Sequence, residues 1–189
     1  INKKLWVGTD GGVLHVFDEK RLSVEKIEIH LDGKKRISPL YFMDLNKNIL
    51  LIGTSEGMLQ YDRRTKQIGY YSPLKKHTQG QQVRQMLIHN DLLYYTSFGS
   101  LKSYNFKTQE LKSYKKREGS QRITHATTLF VDNSNRLWVG VHDGVALYDP
   151  ATDQFKRFGF EKNASRPLGS YFMILSIHEF MGKLWIGSF

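Results

Sequence analysis

Seven histidines, at positions 15, 30, 77, 89, 125, 142 and 178, come first, because imidazole is both a common metal ligand and a common general base. None stands in His-x-x-x-His or His-Glu-x-x-His spacing and there is no cysteine, so neither a metal site nor thiolate chemistry is expected. Glycosidic hydrolysis would need two carboxyl groups facing each other across a cleft. Asp10, Glu56 and Asp143 stand at corresponding places in three similar stretches, so such a set is geometrically open. Short polar residues in tight hairpin turns are the simpler reading. No Gly-x-Ser-x-Gly elbow and no phosphate-binding Gly-Lys-Ser/Thr loop occurs. Asp132-Asn133-Ser134-Asn135 resembles a calcium loop only superficially and reads as a hairpin turn. No cofactor and no catalytic residue is expected.

Charge is the stronger signal. With 28 Lys and Arg against 18 Asp and Glu, the chain carries a formal charge of +10, which suits a polyanionic partner. The basic residues cluster as Lys34-Lys35-Arg36, Lys75-Lys76-His77, Lys115-Lys116-Arg117 with Arg122, and Lys162 with Arg166. If these clusters lie in equivalent connections they converge on one face. Candidate ligand-binding residues are therefore Arg36, Lys76, His77, Arg117, Arg122, His142 and Arg166. Arg would grip an acidic group in bidentate fashion, and His or Tyr would offer a stacking surface. Solvated lysines that merely keep sheet edges soluble are the competing reading. No nucleic-acid module is recognisable, so no nucleic acid is expected as a partner of this segment.

The elements that position these residues follow from an internal repeat. Leu5-Trp6-Val7-Gly8-Thr9 recurs as Leu50-Leu51-Ile52-Gly53-Thr54, Leu93-Tyr94-Tyr95-Thr96, Leu137-Trp138-Val139-Gly140 and Leu184-Trp185-Ile186-Gly187. With Tyr95 taken in place of Gly, the column at 8, 53, 95, 140 and 187 has steps of 45, 42, 45 and 47 residues. After each of the first four blocks comes a Gly and an apolar stretch ending in an aromatic with Asp or Asn: Phe17-Asp18, Tyr61-Asp62, Tyr104-Asn105 and Tyr148-Asp149. Three of these run into turns closing on Thr65, Thr108 and Thr152, where Asp or Asn and Thr can bond the turn backbone. Each repeat reads as four short strands, A to D, with A at Tyr41–Asp44, Met86–His89, Thr128–Asp132 and Leu175–Glu179. Strand D follows the turn, at Gln67–Tyr71, Glu110–Tyr114 and Gln154–Phe158.

The predicted fold is all-β, a partial β-propeller of about four antiparallel four-stranded blades. Approximate repeat units are 1–36, 37–80, 81–122 and 123–168, with a fifth beginning at 169–189. Single sheets of this kind cannot bury both faces, so neighbouring blades must cover them. Trp6, Trp138 and Trp185 are expected to pack between blades. The strand count and the start at Ile1 without an initiator Met predict a section of a larger ring, with apolar edges that favour self-association.

The repeat, seen most clearly at Leu129-Phe-Val-Asp-Asn-Ser-Asn-Arg-Leu-Trp-Val-Gly-Val-His-Asp-Gly-Val-Ala-Leu-Tyr-Asp149, resembles the two-component regulator propeller repeat. WD, kelch and Asp-box patterns fit less well. The resemblance implies a periplasmic, ligand-sensing segment of a hybrid two-component sensor histidine kinase held in the inner membrane. It implies an oligosaccharide ligand, here one that the basic clusters would make anionic, with the other blades of the parent chain and a second copy as partners. Membrane attachment would come only through the parent protein. Two alternatives stay open: a propeller carbohydrate-active enzyme, either a lyase or a glycosidase, and a protein–protein interaction scaffold.

Overall fold

The structure, a computed structural model, describes residues 4–31, 37–114, 123, 125–142, 144–158 and 173–188. These form five antiparallel sheets made of consecutive strands, the all-β architecture of a partial β-propeller of about four blades. The first sheet holds β1 (Lys4–Thr9), β2 (Val13–Asp18) and β3 (Ser23–Glu28). The second holds β4 (Pro39–Asp44), β5 (Ile49–Thr54), β6 (Gly57–Asp62) and β7 (Ile68–Tyr70). A 3-10 turn at Ser72–Leu74 and a single-turn helix α1 (Lys75–Thr78) lead on to β8 (Val83–His89). The third sheet adds β9 (Leu92–Ser97), β10 (Ser100–Asn105) and β11 (Leu111–Ser113). The fourth holds β12 (Thr128–Val131), β13 (Leu137–Val141), β14 (Gly144–Asp149) and β15 (Gln154–Phe158). The fifth pairs β16 (Ile174–Phe180) with β17 (Lys183–Ser188). The chain divides into two compact units, Ile1–Arg84 and Gln85–Phe189, with the boundary inside β8.

The expected turns form as the residue types dictate. Asp62 Oδ1 accepts from Arg64 N at 2.8 Å, Asn105 Oδ1 from Lys107 N at 2.8 Å, and Asp149 Oδ1 from Ala151 N at 2.9 Å. Asp18 does the same for Lys20 N and Arg21 N, so the first repeat shares the turn although its fourth position is Arg21. These backbone hydrogen bonds, first among them that from Arg64, hold the Asp62 carboxyl below the usual range.

Burial explains the repeated block. In β13, Leu137, Val139 and Val141 point into one cluster with Tyr94, Leu101, Tyr114 and Leu129. Trp138 points the other way, into a cluster with Val145, Ile174 and Ile177. A strand buried on both faces needs no polar alternation, and its period of two sets Trp138 and Gly140 on the same side. That side receives the first strand of the next sheet. An alanine Cβ at Gly140 would lie 2.4 Å from Thr128 Cγ2 and 2.9 Å from Ile174 Cγ2. At Gly53 it would lie 2.6 Å from the Val83 carbonyl oxygen, and at Gly8 2.9 Å from Pro39 Cγ. The glycine column therefore marks where strand A of the following blade crosses strand B.

The hairpin register corrects one position in that column. Gly53 pairs with Met58 and Gly140 with Val145, one step in from the hairpin end; the residue so placed in β9 is Thr96, paired with Leu101. Tyr95 instead occupies the place of Ile52 and Val139, and the steps become 43 and 44 residues. Thr96 fits because its hydroxyl takes up the Gln85 N–H at 3.1 Å. Gln85 in turn accepts from Leu129 N of the next sheet, so a side-chain amide joins the inner strands there. Tyr94 stands where three of the other copies carry Trp and the second carries Leu51, with its ring 6.3 Å from both Tyr114 and Tyr148.

The tryptophans diverge. Trp6 is half-buried against Tyr61 of the neighbouring sheet at 6.3 Å, and Trp138 is 8% exposed. Trp185, expected to pack between blades, is 57% exposed, because no described residue covers its face of the two-stranded fifth sheet. Leu175 and Ile186 are exposed on that sheet, as are Leu5, Val7 and Val24 on the first. Truncating Trp138 to Ala should cost about 3–5 kcal/mol, whereas Trp185→Ala should cost no more than about 1 kcal/mol. Urea midpoints of the two variants check the contrast.

Candidate functional site

Connections between strands B and C of each repeat, and those leading from one sheet to the next, share one end of the blades within each unit. In the first unit, Ser38 Oγ donates to the Asp10 carbonyl, and Ile29 N donates to Gly12 O at 2.8 Å. Beside the second sheet, Gly80 N donates to Glu56 O at 2.9 Å and Met58 N to Thr78 Oγ1 at 3.4 Å. Helix α1 is thereby docked on the β5–β6 hairpin. Gly57, at φ +136°, permits this approach, since a Cβ there would sit 2.7 Å from the Thr78 carbonyl oxygen. In the second unit, Ala126 N donates to Gly99 O at 2.9 Å, and His142 N to His125 O at 3.2 Å.

Lys76 and His77 lie exposed on α1, and Lys75 Nζ stands 5.5 Å above the Tyr70 ring. They are carried on the same end of the second sheet as Glu56. His142 is half-buried at the β13–β14 hairpin, where Arg157 Nη2 donates to its carbonyl oxygen at 3.2 Å. Arg36, Arg117, Arg122 and Arg166 lie outside the described residues, as do Lys34, Lys35, Lys115, Lys116, Lys162 and Asp143. Asp10 and Glu56 are exposed turn residues, as the hairpin reading expected.

Sequence reasoning missed two groupings. His125, whose backbone φ is +55°, packs beside Gly99 and brings its ring to 5.2 Å from that of His142. The 16 residues between these two positions hide the pair from any local spacing rule. At the opposite end of the fourth sheet, the turn read as Asp132-Asn133-Ser134-Asn135 is organised by a buried carboxylate. Asp132 Oδ1 accepts from Ser134 N at 3.0 Å and Arg136 N at 2.9 Å, and Oδ2 accepts from Arg136 Nε and Trp138 Nε1, both at 2.7 Å. Burial alone would raise the Asp132 pKa; the hydrogen bonds from Trp138 and Arg136 outweigh it and hold the carboxyl below its ordinary value. Among the described residues there is no group of three or more His, Asp or Glu able to hold a metal ion, and no helix long and apolar enough to cross a membrane.

This architecture places the chain among β-propeller folds. No family model matches the sequence. No curated protein matches it either. Solved structures do. The extracellular domain of B. thetaiotaomicron BT4673, described as a hybrid two-component system, superposes with a TM-score of 0.71 at 18% identity, over 97% of this chain and 25% of that one. The extracellular domain of BT3049 from the same organism, described likewise, gives a TM-score of 0.74 at 18% identity over 100% of this chain and 25% of that one. The chain thus spans about a quarter of the length of the structures it matches. In fold, the likeness agrees with the resemblance read from the repeats.

Proposed function

We propose that this chain is a ligand-sensing segment from the extracytoplasmic part of a hybrid two-component sensor histidine kinase, and that it catalyses nothing itself. The observation that carries the reading is the fold likeness over the whole chain to extracellular domains of such systems. Its ligand is an oligosaccharide, made anionic by preference because the chain bears +10 and the basic cluster Lys75-Lys76-His77 falls in the connection from the second sheet to the third. Arg36, Lys76, His77, Arg117, Arg122, His142 and Arg166 are the residues assigned to that ligand. Binding shifts the geometry of propellers or of a homodimer, and the parent protein carries the change across the inner membrane from the periplasm. The exposed apolar faces at Leu5, Val7 and Trp185 suit contact with further blades or a second copy.

Titration of the chain with a heparin-type oligosaccharide, beside a neutral one, tests the ligand class. Binding is expected at low ionic strength, weakening as salt is raised and weakening again in a Lys75→Ala, Lys76→Ala, His77→Ala variant. No binding to the acidic sugar at low salt would remove the ligand assignment.

A further inference from the structure

We propose that His125, His142 and Met173 form a binding site for a soft metal cation, copper(I) above all. Three observations meet at this point. First, the His125 and His142 rings have centroids 5.2 Å apart, tilted by 53°. Two imidazoles sharing one tetrahedral ion, each at about 2.0–2.1 Å through nitrogen, hold their centroids about 5 Å apart. Second, the pair is fixed by backbone: His142 N donates to His125 O, so the two residues cannot drift independently. Third, His142 pairs with Met173 across an isolated antiparallel bridge. Directly opposed residues of an antiparallel pair carry their side chains on one face, with Cβ atoms about 4.5–5.5 Å apart. The Met173 thioether is thereby delivered to the same face as the His142 ring.

The donor set decides the ion. Imidazole suits copper, zinc and nickel, while a thioether selects for the softer copper(I). Electrostatics points the same way. Arg157 donates to the His142 carbonyl, and the chain as a whole is strongly basic, so a divalent ion held by charge is disfavoured. A monovalent ion held by coordination to neutral donors suffers least. Calcium and magnesium, which demand oxygen ligands, have nothing to bind in this set.

The test is an anaerobic competition of the full chain against a chromophoric copper(I) chelator, with zinc(II) and calcium(II) titrated in parallel. One copper(I) per chain is expected, with no calcium binding. His125→Asn, chosen because Asn tolerates the positive φ at this position, and His142→Gln should each weaken copper(I) binding at least tenfold. Met173→Leu should weaken copper(I) at least tenfold and zinc(II) less than threefold. His15→Ala, on β2 and away from the pair, should leave both unchanged. In the unsubstituted chain, copper(I) should shift the imidazole signals of His125 and His142 and spare those of His15 and His30. Failure of the wild-type chain to compete, or undiminished binding in both histidine variants, would overturn the site. Loss of binding in the histidine variants but not in Met173→Leu would overturn its copper(I) preference. The copper(I) site shares His142 with the oligosaccharide assignment, and the heparin titration, whose variant changes only Lys75, Lys76 and His77, reads that assignment separately.

Discussion

Replacing Gly53 with alanine should destabilise the chain by about 3 kcal/mol, the upper range for forcing extra volume into a packed interior. The added methyl would meet the Val83 carbonyl oxygen at 2.6 Å, with Val83 Cγ1 at 3.2 Å. A backbone carbonyl cannot swing aside as a side-chain end can, so the inner strand of the following blade would have to move. Gly140→Ala should cost somewhat less. Its added methyl meets side-chain atoms of Thr128 and Ile174, which can turn at some expense in rotamer strain. Gly69→Ala is the control: its Cβ would meet nothing within 4 Å, and its effect should stay within about 0.5 kcal/mol. Urea midpoints followed by tryptophan fluorescence order the three variants. Equal effects at positions 53 and 69 would deny that strand B is crossed closely by the next blade.

Asp132→Ala should rank beside it, at about 3 kcal/mol. The buried Trp138 Nε1 and the Arg136 backbone N–H would both lose their acceptor, and hydrogen bonds to a charged group carry about 1.5–3 kcal/mol each. Asp132→Asn should recover little, because an amide NH2 in place of Oδ2 would face two donors. The pH dependence has a definite sign. A carboxyl whose folded pKa lies below its unfolded value stabilises the fold fully above the unfolded value of about 3.9, and the contribution is lost as pH falls through the folded value. Wild type should therefore lose stability on acidification below about pH 4 more steeply than Asp132→Asn. Thermal melts of the two proteins from pH 5 to pH 2 check this. Parallel acid limbs would show that the carboxylate is not held in its charged form.

Much of this fold is legible in the residues because a propeller is local: each sheet is built from consecutive strands, and each turn carries its own Asp or Asn. The strands from Tyr41–Asp44 onward and the turns at Asp62, Asn105 and Asp149 could be placed for that reason. What was not legible depends on neighbours distant along the chain. Recurrence revealed the glycine column, but its cause, the crossing of Val83 or Ile174, lies 30 and more residues onward. Where the block degenerates, alignment by similarity chose Tyr95, and only hairpin register identifies Thr96. Trp185 has the same local block as Trp138, yet a Trp is buried only if another sheet covers it. Asp132 looked like an ordinary turn residue because its partner Trp138 lies on the adjoining strand. Of the candidate ligand residues, only Lys76, His77 and His142 fall among the described positions, and the pairing of His142 with His125 needed the fold to bring it about.

The most direct measurement is a nuclear Overhauser contact in the methyl-labelled chain between glycines of one sheet and the inner strand of the next. Strong signals are expected from the Gly53 Hα to a Val83 methyl and from the Gly140 Hα to the Ile174 γ2 methyl, since a Cβ at these glycines would lie 3.2 Å and 2.9 Å from those carbons. If both are missing while the within-sheet contacts Gly53–Tyr41 and Gly140–Thr128 are present, the sheets exist but are not laid blade against blade, and the propeller is contradicted.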